Sequence, residues 1–361
     1  MTENSAHGPI QVLVVDDSAV VRQVMQAVLA GETDMAVTVA ADPLIAIEKM
    51  KQLRPHVILL DLEMPRMDGL TFLRKIMAED PVPTVVCSGV AARGTEAAMR
   101  ALEAGAVGIV TKPSLGVKEF LQESALLLVD MVRSAAQARV RRRAPLPALP
   151  VPPKRKAPAT RIPAGPPRPA TERIVAIGAS TGGAEALTEI LTAMPADAPG
   201  IVIVQHMPEL FTAAFANHLN ELCQIEVKEA EGGDLITSGR AFIAPGNYHA
   251  TVFRQGAQYR IGVREGPLVS RHRPSVDVLF RSVAEAAGSN AAGVILTGMG
   301  NDGAQGMVAM KRAGAYNIAQ DEATCVVFGM PREAMSTGAV DDVAPLQEIA
   351  GKILRWKRAA S

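Results

Sequence analysis

Cysteine is scarce in this 361-residue sequence, and long apolar runs are missing from it. Cys87, Cys223 and Cys325 lie far apart, which predicts neither a disulfide framework nor a zinc site, and we expect reduced, buried side chains. The richest apolar stretches are interrupted within a few residues, which excludes a bilayer-spanning helix. Residues 1–10 lack the basic start and apolar stretch of a secretory signal. We therefore expect a cytoplasmic protein without membrane insertion.

Acidic residues are absent from one long segment, although the whole chain has 37 basic and 37 acidic residues. Residues 131–171 contain ten basic residues and ten prolines but no Asp or Glu. Because proline favours extended backbone, this segment predicts a semi-rigid linker at 133–170, between domains at 1–132 and 171–361. A nucleic-acid-binding arm is the alternative, but no base-reading fold accompanies the basic residues. We expect no nucleic-acid partner.

The N-terminal domain alternates short apolar runs with segments of helical spacing. This alternation indicates five βα units and predicts a doubly wound α/β sheet, whose functional groups should lie beyond the carboxyl ends of its strands. The predicted strands are Val12–Val15, Val37–Ala40, Val57–Leu60, Thr84–Cys87 and Gly108–Val110.

Polar residues follow four of these strands. Asp16 and Asp17 follow the first strand, Asp61 the third, Ser88 the fourth and Lys112 the fifth. Clustered carboxylates suit a hard cation such as Mg²⁺, which would hold a phosphoryl oxygen while one Asp attacks phosphorus. Taken singly, the first two carboxylates could belong to a helix cap. Their joint occurrence with a lysine and a hydroxyl favours a phosphoryl-transfer site.

Four segments resemble, in order and spacing, the receiver domain of bacterial two-component response regulators: VLVVDDS, ILLDLEMPRMDGL, VVCSG and GIVTKP. The resemblance implies a flavodoxin-like domain that a histidine kinase phosphorylates. It implies that Asp61 is the phospho-acceptor, that Asp16 and Asp17 hold Mg²⁺ with Asp61, and that Ser88 and Lys112 are the switch residues. Many receivers place Tyr or Phe three residues before the lysine, where this sequence has an isoleucine.

The C-terminal domain also alternates between strand and helix patterns. A region of shorter strands and turns at 241–263 predicts a β-hairpin inside a second, Rossmann-like α/β domain. The longer predicted elements are the strands Ile174–Ile177, Ile201–Val204 and Gly293–Thr297 and the helices Ala184–Ala193, Phe211–Leu222 and Ala304–Ala313.

A glycine-flanked serine, Ser180, follows the first strand of this domain in the segment IGASTGG. The segment satisfies G-x-S-x-G, a sharp turn that presents a serine hydroxyl beside backbone N–H groups. A helix cap and a dinucleotide-binding loop are alternative interpretations. A nucleophilic serine needs a base and a carboxylate, and His206 and Asp302 follow strands that end at the same edge. The other histidines follow no clear buried strand and are less attractive: His7, His56, His218, His249 and His272.

Six segments resemble the catalytic domain of chemotaxis protein-glutamate methylesterases, the CheB family: IGASTGG, VQHM, APGNYH, HRPSVDVLF, LTGMGNDGA and FGMPREA. The resemblance implies that Ser180 is the nucleophile, His206 the general base and Asp302 its orienting residue. It implies an oxyanion hole formed by the backbone N–H groups of Thr181 and Met299.

The same resemblance implies the substrate and the regulation. The family hydrolyses glutamate methyl esters on methyl-accepting chemotaxis receptors, and many members also deamidate glutamines; we expect both activities here. The esterase step needs no cofactor, and the unphosphorylated receiver inhibits it. Two other functions stay open, namely a response regulator whose second domain is a non-catalytic binding module, and a nucleotide-dependent oxidoreductase.

Overall fold

The computed structural model of the chain describes residues 8–89, 92–112, 118–142 and 171–356. His7 and residues 143–170, which form most of the predicted linker, lie outside these ranges. Within them, no helix combines the length and the apolar character that crossing a membrane requires. Two α/β units are present, each with a parallel sheet, which confirms the predicted fold class.

The N-terminal unit is a five-stranded parallel sheet in the order β2-β1-β3-β4-β5, the flavodoxin-like order. Residues 133–136, within the segment assigned to the linker, belong to the last helix of this unit. The strands are β1 (Ile10–Val15), β2 (Met35–Ala40), β3 (Val57–Asp61), β4 (Thr84–Ser88) and β5 (Gly108–Thr111). The helices are α1 (Ala19–Ala30), α2 (Pro43–Gln52), α3 (Gly69–Glu79), α4 (Ala92–Glu103) and α5 (Lys118–Ala136).

The C-terminal unit has a seven-stranded parallel sheet in the order β14-β13-β12-β6-β7-β9-β8, and β10 and β11 form a separate antiparallel hairpin. The predicted hairpin insertion is therefore confirmed. The strands are β6 (Ile174–Ala179), β7 (Gly200–Gln205), β8 (Glu226–Glu229), β9 (Arg240–Ile243), β10 (His249–Gln255), β11 (Gln258–Arg264), β12 (Ala291–Ile295), β13 (Tyr316–Gln320) and β14 (Asp342–Ala344). The helices are α6 (Gly183–Thr192), α7 (Phe211–Leu222), α8 (Val276–Ala287), α9 (Ala304–Arg312), α10 (Met330–Ser336) and α11 (Leu346–Arg355).

Strand β6 lies in the middle of the larger sheet, between β12 and β7. Ile177 of β6 is in register with Ile203 of β7 on one side and Val294 of β12 on the other. Because parallel strands end at the same edge, the chain segments after these three strands meet there. All six residues of β6 and all six of β7 are buried, as expected for strands covered by helices on both faces.

The three cysteines are free and buried, as the sequence analysis predicted. Burial raises the pKa of the Cys223 thiol to about 11 and that of the Cys325 thiol to about 12. A raised pKa keeps a thiol protonated and unreactive at neutral pH. These residues therefore behave as small apolar side chains.

Candidate functional site

The N-terminal sheet brings three carboxylates together at its carboxyl edge. Asp16 and Asp61 are 1% and 2% exposed, whereas Asp17 is exposed to solvent. Each of the three offers an oxygen, and these oxygens lie within 4.8 Å of one another. The Lys112 ammonium lies 2.6 Å from Asp61 Oδ2 and 3.2 Å from Asp16 Oδ2. The predicted convergence of strand ends is therefore present in the fold.

Burial is the main influence on the charge of Asp61. Desolvation raises the pKa of this carboxyl group, and the ion pair with Lys112 and the Glu63 amide hydrogen bond offset only part of the shift. Burial also disfavours the charged lysine, but the ion pair with Asp61 raises the pKa of Lys112. Ser88 ends the neighbouring strand β4, is buried, and its Oγ donates a hydrogen bond to the Gly89 carbonyl at 3.3 Å.

The donor set at this edge fits a divalent cation. Three carboxylates and one ammonium leave the cluster with a net negative charge when all are ionised, and a cation with two charges offsets it. Oxygen ligands of this kind are those that Mg²⁺ prefers. Asp16, Asp17 and Asp61 are the residues that would hold it.

Ser180 lies at the tip of the turn that joins β6 to α6. Its amide donates to the Thr297 carbonyl at 3.0 Å, and its carbonyl accepts from the Gly183 amide at 2.8 Å, so the backbone of the turn is fixed. Gly182 has φ +77°, and a Cβ there would lie 2.5 Å from Val326 Cβ. The turn therefore needs a glycine at this position, both for its left-handed backbone and for space.

A second glycine lets the loop after β12 approach the serine. A Cβ on Gly298 would lie 2.6 Å from Ser180 Cβ and 2.4 Å from Met330 Sδ. The same loop continues through Met299 to Asp302, which is 1% exposed. The approach of this loop brings Asp302 to the same sheet edge as Ser180.

His206 follows β7 and connects to Asp302. Its Nε2 lies 2.9 Å from Asp302 Oδ2, and its side chain is 6% exposed. The His206 Nδ1 has no hydrogen-bond partner among the residues that the structure describes. A neutral imidazole carries one proton, so an Nε2–H that donates to Asp302 leaves Nδ1 as the free acceptor. Ser180 and His206 line one narrow cavity.

The N-terminus of α8 holds Asp302. Asp302 Oδ1 accepts from Ser275 Oγ at 2.7 Å and from the Asp277 amide at 3.0 Å, and Oδ2 accepts from the Val276 amide at 2.7 Å. Burial alone would raise the pKa of Asp302, but the hydrogen bonds from His206, Asp277 and Ser275 together hold that pKa below its ordinary value. Asp302 is therefore a carboxylate fixed by four donors.

Two backbone amides beside the serine are available as donors. Within the described ranges, neither the Thr181 nor the Met299 amide N–H donates a hydrogen bond to another protein group. Both residues adjoin Ser180 in space or in sequence, since Met299 follows the Gly298 that contacts it. These two N–H groups are the ones that the sequence analysis assigned to an oxyanion hole.

Two further residues at this site were not predicted from the sequence. Gln205 is buried, and its Nε2 donates to the carbonyls of Ser180 at 2.9 Å and His206 at 3.0 Å. His272, which the sequence analysis set aside, stacks on the His206 ring. The sequence analysis ranked His272 below His206 as a candidate base because no strand precedes it, and a loop carries His272 to the site. The sequence did offer one indication of His272, because this histidine begins the HRPSVDVLF segment that resembles the family.

The N-terminal domain covers the cleft that contains Ser180. Ile109 of β5 and Met131 of α5 line the same narrow cavity as Ser180 and His206. The Gly182 amide donates across the interface to the carbonyl of the residue before β5, Val107, at 2.9 Å. The isoleucine at the usual position of an aromatic switch residue is therefore part of the contact between the domains.

Polar contacts surround this apolar contact. Ser134 Oγ of α5 lies 2.6 Å from Thr181 Oγ1, beside the proposed nucleophile. Among the described residues, two ion pairs cross the interface further out, joining Asp130 to Arg271 at 3.4 Å and Arg139 to Glu322 at 2.8 Å. His218 also contacts Glu103 across it at 3.0 Å. One face of the N-terminal domain, formed by α4, β5 and α5, thus lies on the catalytic edge of the other sheet.

Comparison with known proteins agrees with both halves of this description. The CheB methylesterase model matches residues 175–353, and the response regulator receiver domain model matches residues 12–124. A protein-glutamate methylesterase/protein-glutamine glutaminase of Anaeromyxobacter dehalogenans (strain 2CP-C) is 57% identical over 97% of each chain. The chain belongs to the CheB methylesterase family.

Other members of the CheB family are similarly close. A protein-glutamate methylesterase/protein-glutamine glutaminase of Xanthomonas campestris pv. campestris is 59% identical over 95% of this chain and 99% of its own. The solved CheB methylesterase catalytic domain of Thermotoga maritima has a TM-score of 0.50 and 39% identity, and the match covers 50% of this chain and 97% of that domain. The family assignment therefore rests on the full length of the chain.

Proposed function

We propose that this chain is a phosphorylation-regulated serine esterase that hydrolyses glutamate methyl esters on methyl-accepting chemotaxis receptors. The observation that carries the proposal is the cleft in which Ser180 adjoins the His206–Asp302 pair, 2.9 Å apart, beneath the receiver domain. A non-catalytic binding module has no need of a fixed carboxylate–imidazole pair beside a serine. The names of its relatives support the same substrate and, in addition, a glutaminase activity.

The proposed ester hydrolysis begins with proton transfer from Ser180. His206 Nδ1 takes the Oγ proton as Oγ bonds to the ester carbonyl carbon. The Nε2–H remains on His206 and keeps its hydrogen bond to Asp302. The resulting imidazolium returns the proton to the methoxy oxygen as the carbon–oxygen bond breaks, so methanol leaves. Water then attacks the acyl-enzyme by the same steps and releases the glutamate side chain and Ser180. No cofactor is required for these steps.

The amides of Thr181 and Met299 are proposed to stabilise the oxyanion of each tetrahedral intermediate. Backbone donors in a site that excludes water need no reorganisation during the reaction, so they stabilise charge that develops on the carbonyl oxygen. Hydrolysis of a glutamine side chain follows the same path, except that the proton from His206 goes to the nitrogen and ammonia leaves. One site therefore serves both activities.

The receiver domain is proposed to take a phosphoryl group from a chemotaxis histidine kinase. An Asp61 oxygen attacks phosphorus, and the bond between phosphorus and the kinase imidazole nitrogen breaks. Asp16 and Asp17 would hold Mg²⁺ with Asp61, and bound Mg²⁺ supplies positive charge to the phosphoryl oxygens. Lys112 contacts the transferred group, and the Ser88 hydroxyl becomes its hydrogen-bond partner.

Methanol release from methylated receptor fragments, with and without acetyl phosphate and Mg²⁺, tests the proposal. We expect turnover that rises with the phosphodonor and is abolished by Ser180→Ala, which removes only the hydroxyl. Thr192→Ala is a matched control, since it removes a hydroxyl that bonds only within helix α6 and lies on its exposed end. Wild-type chain without turnover would favour the binding module, and a thermal shift with nicotinamide cofactor would favour an oxidoreductase.

A further inference from the structure

The base of the proposed triad has a second histidine against its face. The rings of His272 and His206 are stacked, with centroids 3.7 Å apart and planes inclined by 13°. His206 is held at one point, since its Nε2 bonds to Asp302 and its Nδ1 has no partner in the described part of the chain. A single hydrogen bond leaves an imidazole free to tilt about that bond. The ring of His272 removes this freedom on one side.

The turn that carries His272 has an unusual backbone. Ser270 and Arg271 have φ of 50° and 66°, the left-handed region that residues other than glycine rarely occupy. The flanking residues Val269 and His272 exchange two backbone hydrogen bonds, at 3.1 and 2.9 Å. Two positive φ values in a two-residue turn are those of a type I′ turn, which usually contains Asn and Gly. Strained backbone of this kind clusters at functional sites.

The chain after the turn is fixed by contacts of its own. Arg273 Nη1 donates to the Gly266 carbonyl at 2.6 Å, and Arg273 Nε donates to Asn247 Oδ1 at 2.9 Å. Two residues later, Ser275 Oγ donates to Asp302. His272 is thus held between a tight turn and the helix start that fixes the triad carboxylate. The backbone contacts before and after His272 therefore fix its ring against the ring of His206.

We propose that His272 is a positioning residue that holds the His206 ring in the orientation in which Nε2 donates to Asp302 and Nδ1 stays available to take the Ser180 proton. The inference rests on the proposed esterase function and extends it. Its role is mechanical and electrostatic, since a stacked neutral ring presents a π face to the imidazolium that forms when His206 takes the serine proton. Burial, with the neighbouring His206 acting in the same direction, lowers the pKa of His272 below its ordinary value, which favours a neutral ring at neutral pH.

The test compares His272→Ala with His272→Phe in the full-length chain with phosphodonor. We expect His272→Ala to lower kcat by about tenfold to a hundredfold, as misplaced catalytic groups do, with KM little changed. His272→Phe keeps a flat ring without a titratable nitrogen and should restore kcat to within a few-fold of wild type. His56→Ala, on the exposed surface of the receiver, is the matched control and should leave both constants unchanged.

A spectroscopic measurement separates this inference from the esterase proposal. In chain labelled with ¹⁵N-histidine, the His206 imidazole should show one Nε2–H tautomer in the wild type and in His272→Phe, and exchange-broadened or mixed tautomers in His272→Ala. Normal kcat in His272→Ala, or loss of activity in His272→Phe as large as in His272→Ala, would overturn the positioning role. Absence of turnover in the wild type would overturn the esterase proposal, and the tautomer test would still decide the role of the stack.

Discussion

The Asp302 carboxylate accepts four hydrogen bonds, so a change of one of its oxygens should have a large effect. Asp302→Asn keeps the shape but replaces one oxygen with an NH₂ group, which cannot accept a hydrogen bond. With this group at the Oδ1 position the variant loses the bonds from Ser275 and the Asp277 amide, and with it at the Oδ2 position those from His206 and the Val276 amide. We expect kcat to fall by about 10³- to 10⁴-fold, because the imidazole loses the tautomer that leaves Nδ1 free. Single-turnover methanol release checks this, and a loss below about tenfold would contradict it.

Asp61 can be tested against a nearby aspartate with a different environment. Asp61→Asn should abolish transfer of labelled phosphate from a small phosphodonor, because the amide is not a nucleophile. Asp68→Asn is the control, since Asp68 caps α3 by accepting from the Thr71 amide and the Thr71 hydroxyl, and asparagine caps helices equally well. If Asp61→Asn still took up labelled phosphate and Asp68→Asn did not, Asp61 would not be the phospho-acceptor.

At this scale, the residues predicted from the sequence are those that directly follow buried strands. Strand ends of a parallel sheet meet at one edge, so Ser180, His206 and Asp61 could be placed from strand positions alone. His272 and Gln205 could not, for different reasons. His272 depends on two left-handed residues that no sequence rule predicts, and Gln205 acts through two carbonyl contacts of its side-chain amide.

Among the elements, helix α8 connects the stability of the C-terminal domain to the site. Ser275 is its N-cap, accepts from the Val278 amide and donates to Asp302. Ser275→Ala should cost about 1 kcal/mol for the lost cap and a further ~1.5–3 kcal/mol for the lost hydrogen bond to a buried carboxylate. Differential scanning calorimetry should show a lower transition temperature for the C-terminal domain.

Ser18→Ala provides the matched control for this prediction. Ser18 caps α1 of the receiver through the Val21 amide and has no carboxylate partner for its hydroxyl in the described part of the chain. Ser18→Ala should lower the free energy of unfolding of the N-terminal domain by only about 1 kcal/mol. Equal losses in the two variants would show that the Ser275–Asp302 contact contributes nothing to stability.

Helix α8 is also an example of an element that the sequence pattern did not predict. The receiver helices and strands were predicted because each βα unit repeats one pattern. The sequence analysis did not predict α8, although apolar residues at helical spacing and a serine cap are present, because the polar segment before it at 271–274 has no strand pattern. The strands β8, β13 and β14 were also missed, since they are short or carry polar residues.

At the scale of the whole molecule, the receiver covers the cleft that the proposed receptor substrate must enter. A fragment beginning at residue 171 should therefore be more active than the unphosphorylated full-length chain and should not respond to phosphodonors. If the closed arrangement is favoured by about 1.4 kcal/mol, the gain is about tenfold. The catalytic domain of the Thermotoga maritima relative was solved without its receiver, which supports independent folding. A folded fragment slower than the full-length chain would instead indicate an activating receiver.

The two arginine ion pairs described at the interface make closure sensitive to ionic strength. Arg271 and Arg139 are 78% and 65% exposed, so dissolved salt reaches and screens their partners. Exposed pairs contribute a few tenths of a kcal/mol each, and the Debye length shortens to about 3 Å in 1 M salt. Raising NaCl should therefore shift unphosphorylated chain toward the open form and bring the ratio of phosphorylated to unphosphorylated turnover toward one. A change in ionic strength alone would then alter the basal turnover proposed for this chain, without any phosphodonor.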